Sequence, residues 1–344
     1  MDNVRIFSHL HDGREVLAVR LTNSSGEYAD ILNYGAAIAA LYVKDKKGNL
    51  ADVVLGVNEG ESPENRYLGA VMGRCGNRIA WGRFSIGDKR YQLVIGNPAR
   101  TPHHLHGAAG NYKSKLFKAI PSRDGHSVVL THYDDGEDGW ECGVDVEITY
   151  TLTDEHELHI DYKLTAHGDT VLSPTNHAYF NLNMPQDITS TRLKLYTDTY
   201  VPLGELGMPD GRLANVADTP LDFTVERTIG EGLASPRKGN FINWRNYDDP
   251  YFFPGESYRK VAEAWNPESG RVMEVYTDQS SVIFFTPGSK GATENKGHIM
   301  SGYFTFCLET QYVPNAVNCP EYPSPVFHAG ETMRSRTTYK FGVR

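Results

Sequence analysis

The feature that most constrains this chain is a strict alternation of apolar and polar residues near its middle. Apolar residues occupy every second position of one run, at Val144, Val146, Ile148, Tyr150 and Leu152. The pattern resumes after a short polar segment, at Leu158, Ile160, Tyr162 and Leu164. A period of two places successive side chains on opposite faces of a β-strand, so the two runs predict an antiparallel hairpin with one buried face.

Similar short runs recur along the chain, and turn-forming residues separate many of them. The runs cover residues 128–132, 273–276, 282–285, 303–308 and 338–343, and glycine-containing turns lie at 47–49, 87–88, 124–125 and 210–211. Glycine beside Asn or Asp is typical of tight turns. The sequence holds no long amphipathic helix and no internal repeat. It therefore predicts an all-β fold, a sandwich of large sheets, with one domain over residues 1–344.

Composition narrows the expected partners and location. The formal net charge is −9 and the pI is near 5.8, so a phosphate backbone would be repelled and we expect no nucleic-acid partner. The four cysteines form no C-x-x-C pair, which fits a reducing compartment. Residues 1–10 lack an apolar signal segment, and no apolar run reaches the ~20 residues that span a bilayer. We expect a cytoplasmic protein with no membrane partner; the oligomeric state is not indicated.

The common signatures of nucleotide binding and of serine nucleophiles are missing from the sequence. There is no G-x-x-x-x-G-K-[ST], no G-x-G-x-x-G after a strand and no G-x-S-x-G. The sequence therefore does not indicate a nucleotide cofactor or a serine hydrolase of the nucleophile-elbow type. Four polar clusters stand out instead, at residues 73–79, 103–107, 173–182 and 306–311.

The first two clusters carry arginines and histidines. Arg74 and Arg78 accompany Asn77 among glycines, which fits either a loop that contacts a ligand or a surface turn. His104 and His106 have H-x-H spacing, which on a strand puts both side chains on one face. This spacing fits a metal site, structural histidines or a substrate-binding imidazole. The lack of a recognisable third and fourth ligand argues against the metal.

The other two clusters hold candidates for acid and base chemistry. His177 has Asn176 and Tyr179 as neighbours that could fix its tautomer and shift its pKa, as a general acid near pH 7 requires. Glu309 follows the apolar Leu308, and partial burial would raise the carboxyl pKa and make it a better base. Taken singly, a structural histidine and an exposed strand glutamate remain open alternatives.

Taken in order, these segments resemble the aldose 1-epimerase (galactose mutarotase) family over nearly the whole chain. The matching elements are N-Y-G-A at 33–36, D-V-V-L-G at 52–56, N-R-I at 77–79, L-H-G at 105–107, T-N-H-A-Y-F-N-L at 175–182, E-T-Q at 309–311, P-N-A-V-N at 314–318 and G-E at 330–331. The elements at 175–182 and 309–311 are specific, and the shared order argues against chance. The resemblance implies an all-β supersandwich with an open cleft for a monosaccharide, and neither a cofactor nor a metal.

The resemblance also implies roles for six residues. His177 corresponds to the family's general acid, which protonates the ring oxygen of the sugar. Glu309 corresponds to the general base, which takes the proton from the anomeric hydroxyl. The ring opens to the aldehyde, the C1–C2 bond rotates, and reclosure gives the other anomer. The residues that correspond to substrate-binding positions are Asn77, Arg78, His106 and Asp248.

Several positions depart from the family's pattern near the implied pocket. Ile283 and Phe285 stand where relatives commonly have a glutamine and a tyrosine, and Asp249 and Pro250 replace the usual residues after Asp248. If Ile283 faces the cleft, we expect weaker use of D-galactose and a relative preference for a deoxy sugar or a pentose. If it points into the sheet, it has no such effect.

Other functions stay open at this stage. A glycoside hydrolase uses two carboxylates, and Asp248 with Glu309 could form such a pair. A non-catalytic sugar-binding protein on the same fold would not need a matched acid and base. A hexose-phosphate epimerase would need further arginines at the cleft, for which Arg74 or Arg83 would be candidates.

Overall fold

The structure is a computed structural model that describes residues 3–96, 102–235, 246–255, 257–288 and 293–344. The strands of the first range are β1 Val4–His9, β2 Glu15–Thr22, β3 Tyr28–Leu32, β4 Ile38–Lys44, β5 Leu50–Asp52, β6 Val54–Leu55, β7 Val71–Met72, β8 Arg78–Ile79, β9 Arg83–Ile86 and β10 Lys89–Gln92. The second range contains β11 His104–Leu105, β12 Lys118–Pro121, β13 Ser127–Asp134, β14 Val144–Leu152, β15 Glu157–Ala166, β16 Thr170–Val171, β17 Thr175–Asn176, β18 Tyr179–Phe180, β19 Arg192–Leu195, β20 Thr199–Tyr200, β21 Ala214–Asn215 and β22 Arg227–Thr228.

The remaining ranges complete the strands, and helical structure is short throughout. The last strands are β23 Asp248–Phe252, β24 Arg259–Trp265, β25 Arg271–Thr277, β26 Ser281–Phe285, β27 Thr293–Asn295, β28 His298–Met300, β29 Cys307–Gln311, β30 Val326–Phe327 and β31 Thr332–Val343. The α-helix α1 spans Ile229–Ala234, and single 3₁₀ turns lie at Ala80–Gly82, Ala108–Gly110, Tyr112–Ser114, Glu137–Gly139, Glu205–Gly207 and Ala316–Asn318. None of the helices in these ranges is long and apolar enough to cross a membrane.

The hairpin predicted from the alternating runs is confirmed. β14 and β15 pair antiparallel from Val144 opposite Ala166 to Leu152 opposite Leu158. Their inward apolar side chains are at most 3% exposed, because every second residue of both strands points into the core. The hairpin lies within a nine-stranded sheet of order β12-β13-β14-β15-β31-β25-β24-β19-β22.

Two five-stranded sheets pack their apolar faces with the large sheet. One has the order β1-β2-β3-β4-β5 and the other β21-β20-β23-β26-β29. A common buried cluster contains side chains from all three sheets, among them Ile31, Ile148 and Phe284. The all-β sandwich of large sheets predicted from the sequence is therefore confirmed.

The strand predicted over residues 303–308 is wrong in its first part, since β29 begins only at Cys307. The backbone N–H of Phe180 donates to the carbonyl oxygen of Phe306 at 2.7 Å, and the Phe306 N–H donates back at 3.0 Å. These two hydrogen bonds form an isolated bridge to a different part of the fold. Phe306 therefore crosses towards the segment that carries residues 175–182 instead of extending β29.

The outward face of the nine-stranded sheet is covered by ion pairs between neighbouring strands. Lys163 approaches Glu147 at 3.4 Å, Arg336 approaches Asp161 at 2.6 Å and Lys340 approaches Glu157 at 2.9 Å. Opposite charges on adjacent strands offset each other locally. The outer face of β14, β15 and β31 thus carries matched charges, while the opposite face of the sheet contributes to the core.

Arg74 lies inside the protein, not at a surface turn. Its guanidinium is fully buried and donates from Nε to Asp134 Oδ2 at 2.8 Å, while its Nη2 lies 2.7 Å from Oδ1. The hydroxyl of Tyr112 also donates to Asp134, at 3.1 Å. Burial alone would raise the pKa of the Asp134 carboxyl, but the hydrogen bonds and charge of Arg74, together with hydrogen bonds from the Gly136 amide and Tyr112, outweigh burial and lower this pKa. The ion pair anchors the segment that leads to Asn77.

Replacing Asp134 tests this anchor. Asp134→Asn keeps the shape but leaves a buried guanidinium without its counter-charge, so we expect a loss of roughly 3–5 kcal/mol in the free energy of unfolding. The pKa of the Asp134 carboxyl is lower in the folded protein than in the unfolded chain. Its ionised form therefore stabilises the fold fully above the unfolded-chain pKa, and this stabilisation is lost as pH falls through the folded-state pKa. Urea unfolding at neutral and acidic pH should show the difference from wild type shrinking in acid.

A matched control is available on the outer face. Asp161→Asn breaks the more exposed pair with Arg336, and we expect a loss of about 1 kcal/mol or less. If Asp134→Asn costs no more than this control, the anchoring role of the buried pair is wrong.

Candidate active site

The backbone of His177 is held by hydrogen bonds from both its N–H and its carbonyl group. It follows β17, which pairs with β7. The His177 N–H donates to Ala70 O at 2.9 Å, and the Gly69 N–H donates to His177 O at 3.0 Å. Just before it, the Asn176 side chain donates to Gly69 O at 2.8 Å and to the Tyr150 hydroxyl at 3.2 Å. The core hairpin and the segment around Ala70 thus fix where the imidazole stands.

Glu309 lies in the middle of β29, and its side chain points to the face of the strand that is opposite the main core. Its neighbour Thr310 points into the core, with Oγ1 2.5 Å from the Thr337 hydroxyl. Glu309 therefore shares the opposite face with Cys307 and Gln311. Although it points away from the main core, it is only 3% exposed.

The structure brings these two groups together. His177 Nε2 lies 3.6 Å from Glu309 Oε1, and the two side chains are 7% and 3% exposed. The second carboxylate oxygen, Oε2, is buried and has no hydrogen-bond partner among the described residues. An acid and a base therefore face one space, with an acceptor oxygen available to a ligand.

Aromatic side chains surround the His177 ring. Tyr179 stacks on it with centroids 4.7 Å apart and planes 11° apart, while Phe285 meets it edge-on at 6.0 Å. Tyr67 and His106 lie at 6.3 and 5.5 Å. These rings keep water away, so burial lowers the pKa of His177 to about 4, with its own backbone carbonyl opposing the shift.

The same burial acts in the opposite direction on Glu309. It raises the carboxyl pKa well above its ordinary value, and the negative charge of Asp248 adds to the shift. The positive charge of Arg78 opposes it. Both charged forms are thus disfavoured in the free protein, and a proton shared by this pair rests preferentially on Glu309.

Three of the predicted substrate-binding residues form a polar group beside the pair. Arg78 Nη2 lies 3.5 Å from Asp248 Oδ2, and its Nη1 donates to Asn77 Oδ1 at 3.2 Å. The side chains of Arg78 and Asp248 are 20% and 21% exposed, so solvent reaches both. Arg78 Nε is without a hydrogen-bond partner in the described part of the chain. Such donors and acceptors suit the hydroxyl groups of a sugar.

The histidine pair predicted from H-x-H spacing is wrong, because the strand ends between its members. β11 contains only His104 and Leu105, and His106 has a left-handed φ of 53°. His104 contacts Val94 O through Nδ1 at 2.7 Å and meets Trp140 edge-on. His106 instead reaches the active site, where its ring lies beside His177.

A different set has the composition of a metal site. His106, His177 and Glu309 each offer a ligand atom, and these atoms lie within 4.8 Å of one another. Two histidines and one carboxylate are a common zinc ligand set. The hydrogen bonds of His106 decide whether this set is available, as described below.

Ile283 shares the face of Glu309. In the sheet, Ile283 pairs directly with Glu309 on one side and with Pro250 on the other. Directly paired residues of antiparallel strands point to the same face. Pro250 and Ile283 therefore form an apolar row that ends at the carboxylate of Glu309. The adjacent row consists of Asp248, Phe285 and Cys307. Ile283 is fully buried in this arrangement.

The arginines considered for a phosphate group do not lie in the cleft. Arg74 is committed to Asp134, as described above. Arg83 is exposed on β9 and donates to Gln92 Oε1 at 2.7 Å. Arg78 is the arginine beside His177 and Glu309 in the described part of the chain, and it already faces Asp248. The described arginines therefore do not favour a sugar-phosphate substrate.

Two residues near His177, Tyr67 and Lys113, were not identified by the sequence analysis. Tyr67 is 40% exposed and lies between the rings of His106 and His177 and the ammonium of Lys113, which sits 4.9 Å from the Tyr67 centroid. Tyr67 lies in a loop and Lys113 in the 3₁₀ turn Tyr112–Ser114, and neither segment has a recognisable motif. An exposed aromatic next to glycines is a weak signal that could have suggested a sugar-contacting ring.

Comparisons with known proteins agree with this geometry. The family model described as "Aldose 1-epimerase" matches residues 18–340. The galactose mutarotase of Rattus norvegicus is 35% identical over 98% of both chains, and the aldose 1-epimerase of Escherichia coli K12 is 26% identical over 96% of both. The crystal structure of a galactose 1-epimerase from Lactobacillus acidophilus superposes with a TM-score of 0.85 at 25% identity, covering 99% of this chain and 98% of that one. With a family match over nearly its whole length and relatives above 30% identity, this chain is a member of the aldose 1-epimerase family.

Proposed function

We propose that His177 and Glu309 are the acid and the base with which this aldose 1-epimerase interconverts the α and β anomers of a free monosaccharide. The observation that carries these roles is the 3.6 Å approach of Nε2 to Oε1 between side chains that are only 7% and 3% exposed. Opening a hemiacetal requires one proton to be given and one to be taken. An imidazolium and a carboxylate supply both.

The reaction is a proton exchange through the substrate. It starts from the charged form of the pair, in which the proton that rests on Glu309 in the free protein has passed to His177. Protonated His177 then gives its Nε2 proton to the ring oxygen, while Glu309 takes the proton of the anomeric hydroxyl. The C1–O5 bond breaks and the aldehyde forms. After rotation about C1–C2, protonated Glu309 returns a proton to the carbonyl oxygen as the ring closes, and His177 recovers its proton from the O5 hydroxyl. The enzyme ends in the state in which it began.

Burial favours this exchange. Both charged forms are disfavoured in the free site, so the imidazolium is a stronger acid and the carboxylate a stronger base than in water. When the protons move, the charged pair becomes a neutral imidazole and a carboxylic acid. Ring opening therefore removes two poorly solvated charges, and reclosure restores them.

The polar group beside the pair would hold the sugar. The exposed edges of Arg78 and Asp248 offer a donor and an acceptor to vicinal hydroxyl groups, and Asn77 orients the guanidinium. Tyr67 would cover one side of the ring. The relatives named galactose mutarotase support a hexose as substrate, although Ile283 predicts weaker use of D-galactose itself.

We also infer a cytoplasmic location. All four cysteines are unpaired, and Cys75, Cys307 and Cys319 are buried. Free thiols fit a reducing compartment. Fractionation of the native host cell would test this location.

The first test replaces the acid and the base. Glu309→Gln keeps the shape and loses basicity, and His177→Asn removes the proton donor, so we expect kcat to fall by roughly 10²–10⁴-fold in each, with smaller changes in binding. Polarimetry on freshly dissolved α-D-glucose and α-D-galactose measures this. Glu147→Gln, on the outer face, should leave the rate unchanged. Near-normal turnover in either site variant, with the fold intact, would remove its assigned role.

The second test is the pH profile of kcat/KM. The active pair holds one proton, whichever group carries it before the sugar binds. Activity should therefore fall below pH about 4, where His177 takes up a second proton, and fall again at high pH as the last proton leaves. Asp248→Asn removes a charge that raises the Glu309 pKa, so its basic limb should move to lower pH. An unmoved or raised basic limb would contradict this coupling.

The third test concerns Ile283. A hydroxyl placed against the apolar row would lose water without gaining a partner, at a cost of about 1–3 kcal/mol, or roughly 5- to 150-fold in kcat/KM. We expect Ile283→Gln to raise kcat/KM for D-galactose relative to the values for a 6-deoxy sugar and a pentose. Ile283→Leu is the apolar control. If the ranking of sugars is the same in wild type and both variants, Ile283 does not shape specificity.

A further inference from the structure

The two histidines of the active site have opposite hydrogen-bonding surroundings. The backbone N–H of Asn77 donates to Nδ1 of His106 at 3.0 Å. In return, the backbone N–H of His106 donates to Asn77 O at 2.8 Å. Both residues adopt a left-handed backbone, with φ of 56° and 53°, which turns the amide of one towards the ring of the other. Asn77 thus holds His106 through two hydrogen bonds, one to its ring and one from its backbone.

This arrangement determines where the proton of His106 resides. A backbone amide can only donate, so Nδ1 must offer its lone pair, and a neutral imidazole then carries its single proton on Nε2. An imidazolium would place a second proton on Nδ1, directly opposite the amide hydrogen. Burial and the neighbouring charges of His177 and Arg78 also hold the pKa of His106 well below its ordinary value.

His177 lacks this restraint. Its Nδ1 lies 3.5 Å from the sulfur of Cys307, a soft neutral group that can accept a hydrogen bond as well as donate one. Its Nε2 faces Glu309. The proton on His177 is therefore free to come and go, whereas that on His106 is not.

We propose that the backbone amide of Asn77 is a positioning group that fixes His106 as its Nε2–H tautomer, so that this histidine, already implied as a substrate-binding residue, can meet a substrate oxygen only as a hydrogen-bond donor. The identity of the oxygen as part of a sugar rests on the proposed function; the tautomer does not. Only one of the two adjacent histidines can then act as an acid, and the other orients an oxygen lone pair towards it.

The same tautomer makes the three-residue set a poor metal site. A histidine that binds a metal through Nε2 needs its proton on Nδ1, where it normally donates to a carbonyl or carboxylate. His106 has a donor at that position. Coordination through Nε2 would require loss of the Asn77 hydrogen bond or an imidazolate, so His177 and Glu309 remain as two ligands, one fewer than a catalytic zinc site uses.

The direct test is two-bond ¹H–¹⁵N NMR on protein labelled at histidine nitrogens, with the His106 signals assigned by their loss in His106→Gln. We expect a protonated Nε2 and an unprotonated Nδ1 across the pH range of activity and in the presence of Zn²⁺. Asn77→Gly retains the backbone amide and a residue that tolerates positive φ, so the tautomer should persist there. A proton on Nδ1, titration to the imidazolium near neutral pH, or a switch of tautomer with Zn²⁺ would overturn the proposal.

Kinetics provide an independent readout. A glutamine amide can reach the position of Nε2, whereas an asparagine amide reaches only that of Nδ1. We expect His106→Asn to lose roughly 10- to 100-fold in kcat/KM and His106→Gln to lose less, with the pH limbs unmoved in both. Equal losses, or a shifted limb, would show that Nε2 donation is not what His106 contributes. Absence of mutarotation in wild type would refute the proposed function but leave the NMR result intact.

Discussion

The proposed chemistry depends on keeping the side chains of His177 and Glu309 3.6 Å apart and almost fully buried. Neither group creates that condition alone. The rings of Tyr179 and Phe285 exclude solvent from His177. The apolar row that contains Ile283 does the same for Glu309. Because burial lowers the pKa of His177 and raises that of Glu309, the proton of the pair rests on Glu309 before any sugar arrives.

Much of the fold and of the site could be predicted from the sequence. Alternation identified the central hairpin because a half-buried strand imposes a period of two on its side chains. The six residues assigned by family resemblance come from distant segments, yet His177, Glu309, Arg78 and Asp248 converge on one space. Their spacing alone could not have shown this, since it depends on how β7, β17, β23 and β29 lie in the fold.

The failures have physical causes. His104 and His106 were expected to share a face, but a left-handed residue ends the alternation between them. Arg74 was considered for the surface or the cleft, yet its partner Asp134 lies sixty residues away and cannot be paired with it from local pattern. The extended run before Cys307 reads as strand, but its backbone groups bond to Phe180 instead. Tertiary hydrogen bonding decided each case.

The distance along the chain between the segments that build the site has a consequence for folding. Asn77, His177 and Glu309 are each positioned by pairing between elements that are remote in sequence, and contacts of this kind form late because long loops must close first. The shortest stretch of chain that contains His177 and Glu309 together with β7, β17, β26 and β29 runs from Val71 to Gln311. Recovery of activity after dilution from denaturant therefore reports completion of the whole sandwich rather than of any one part.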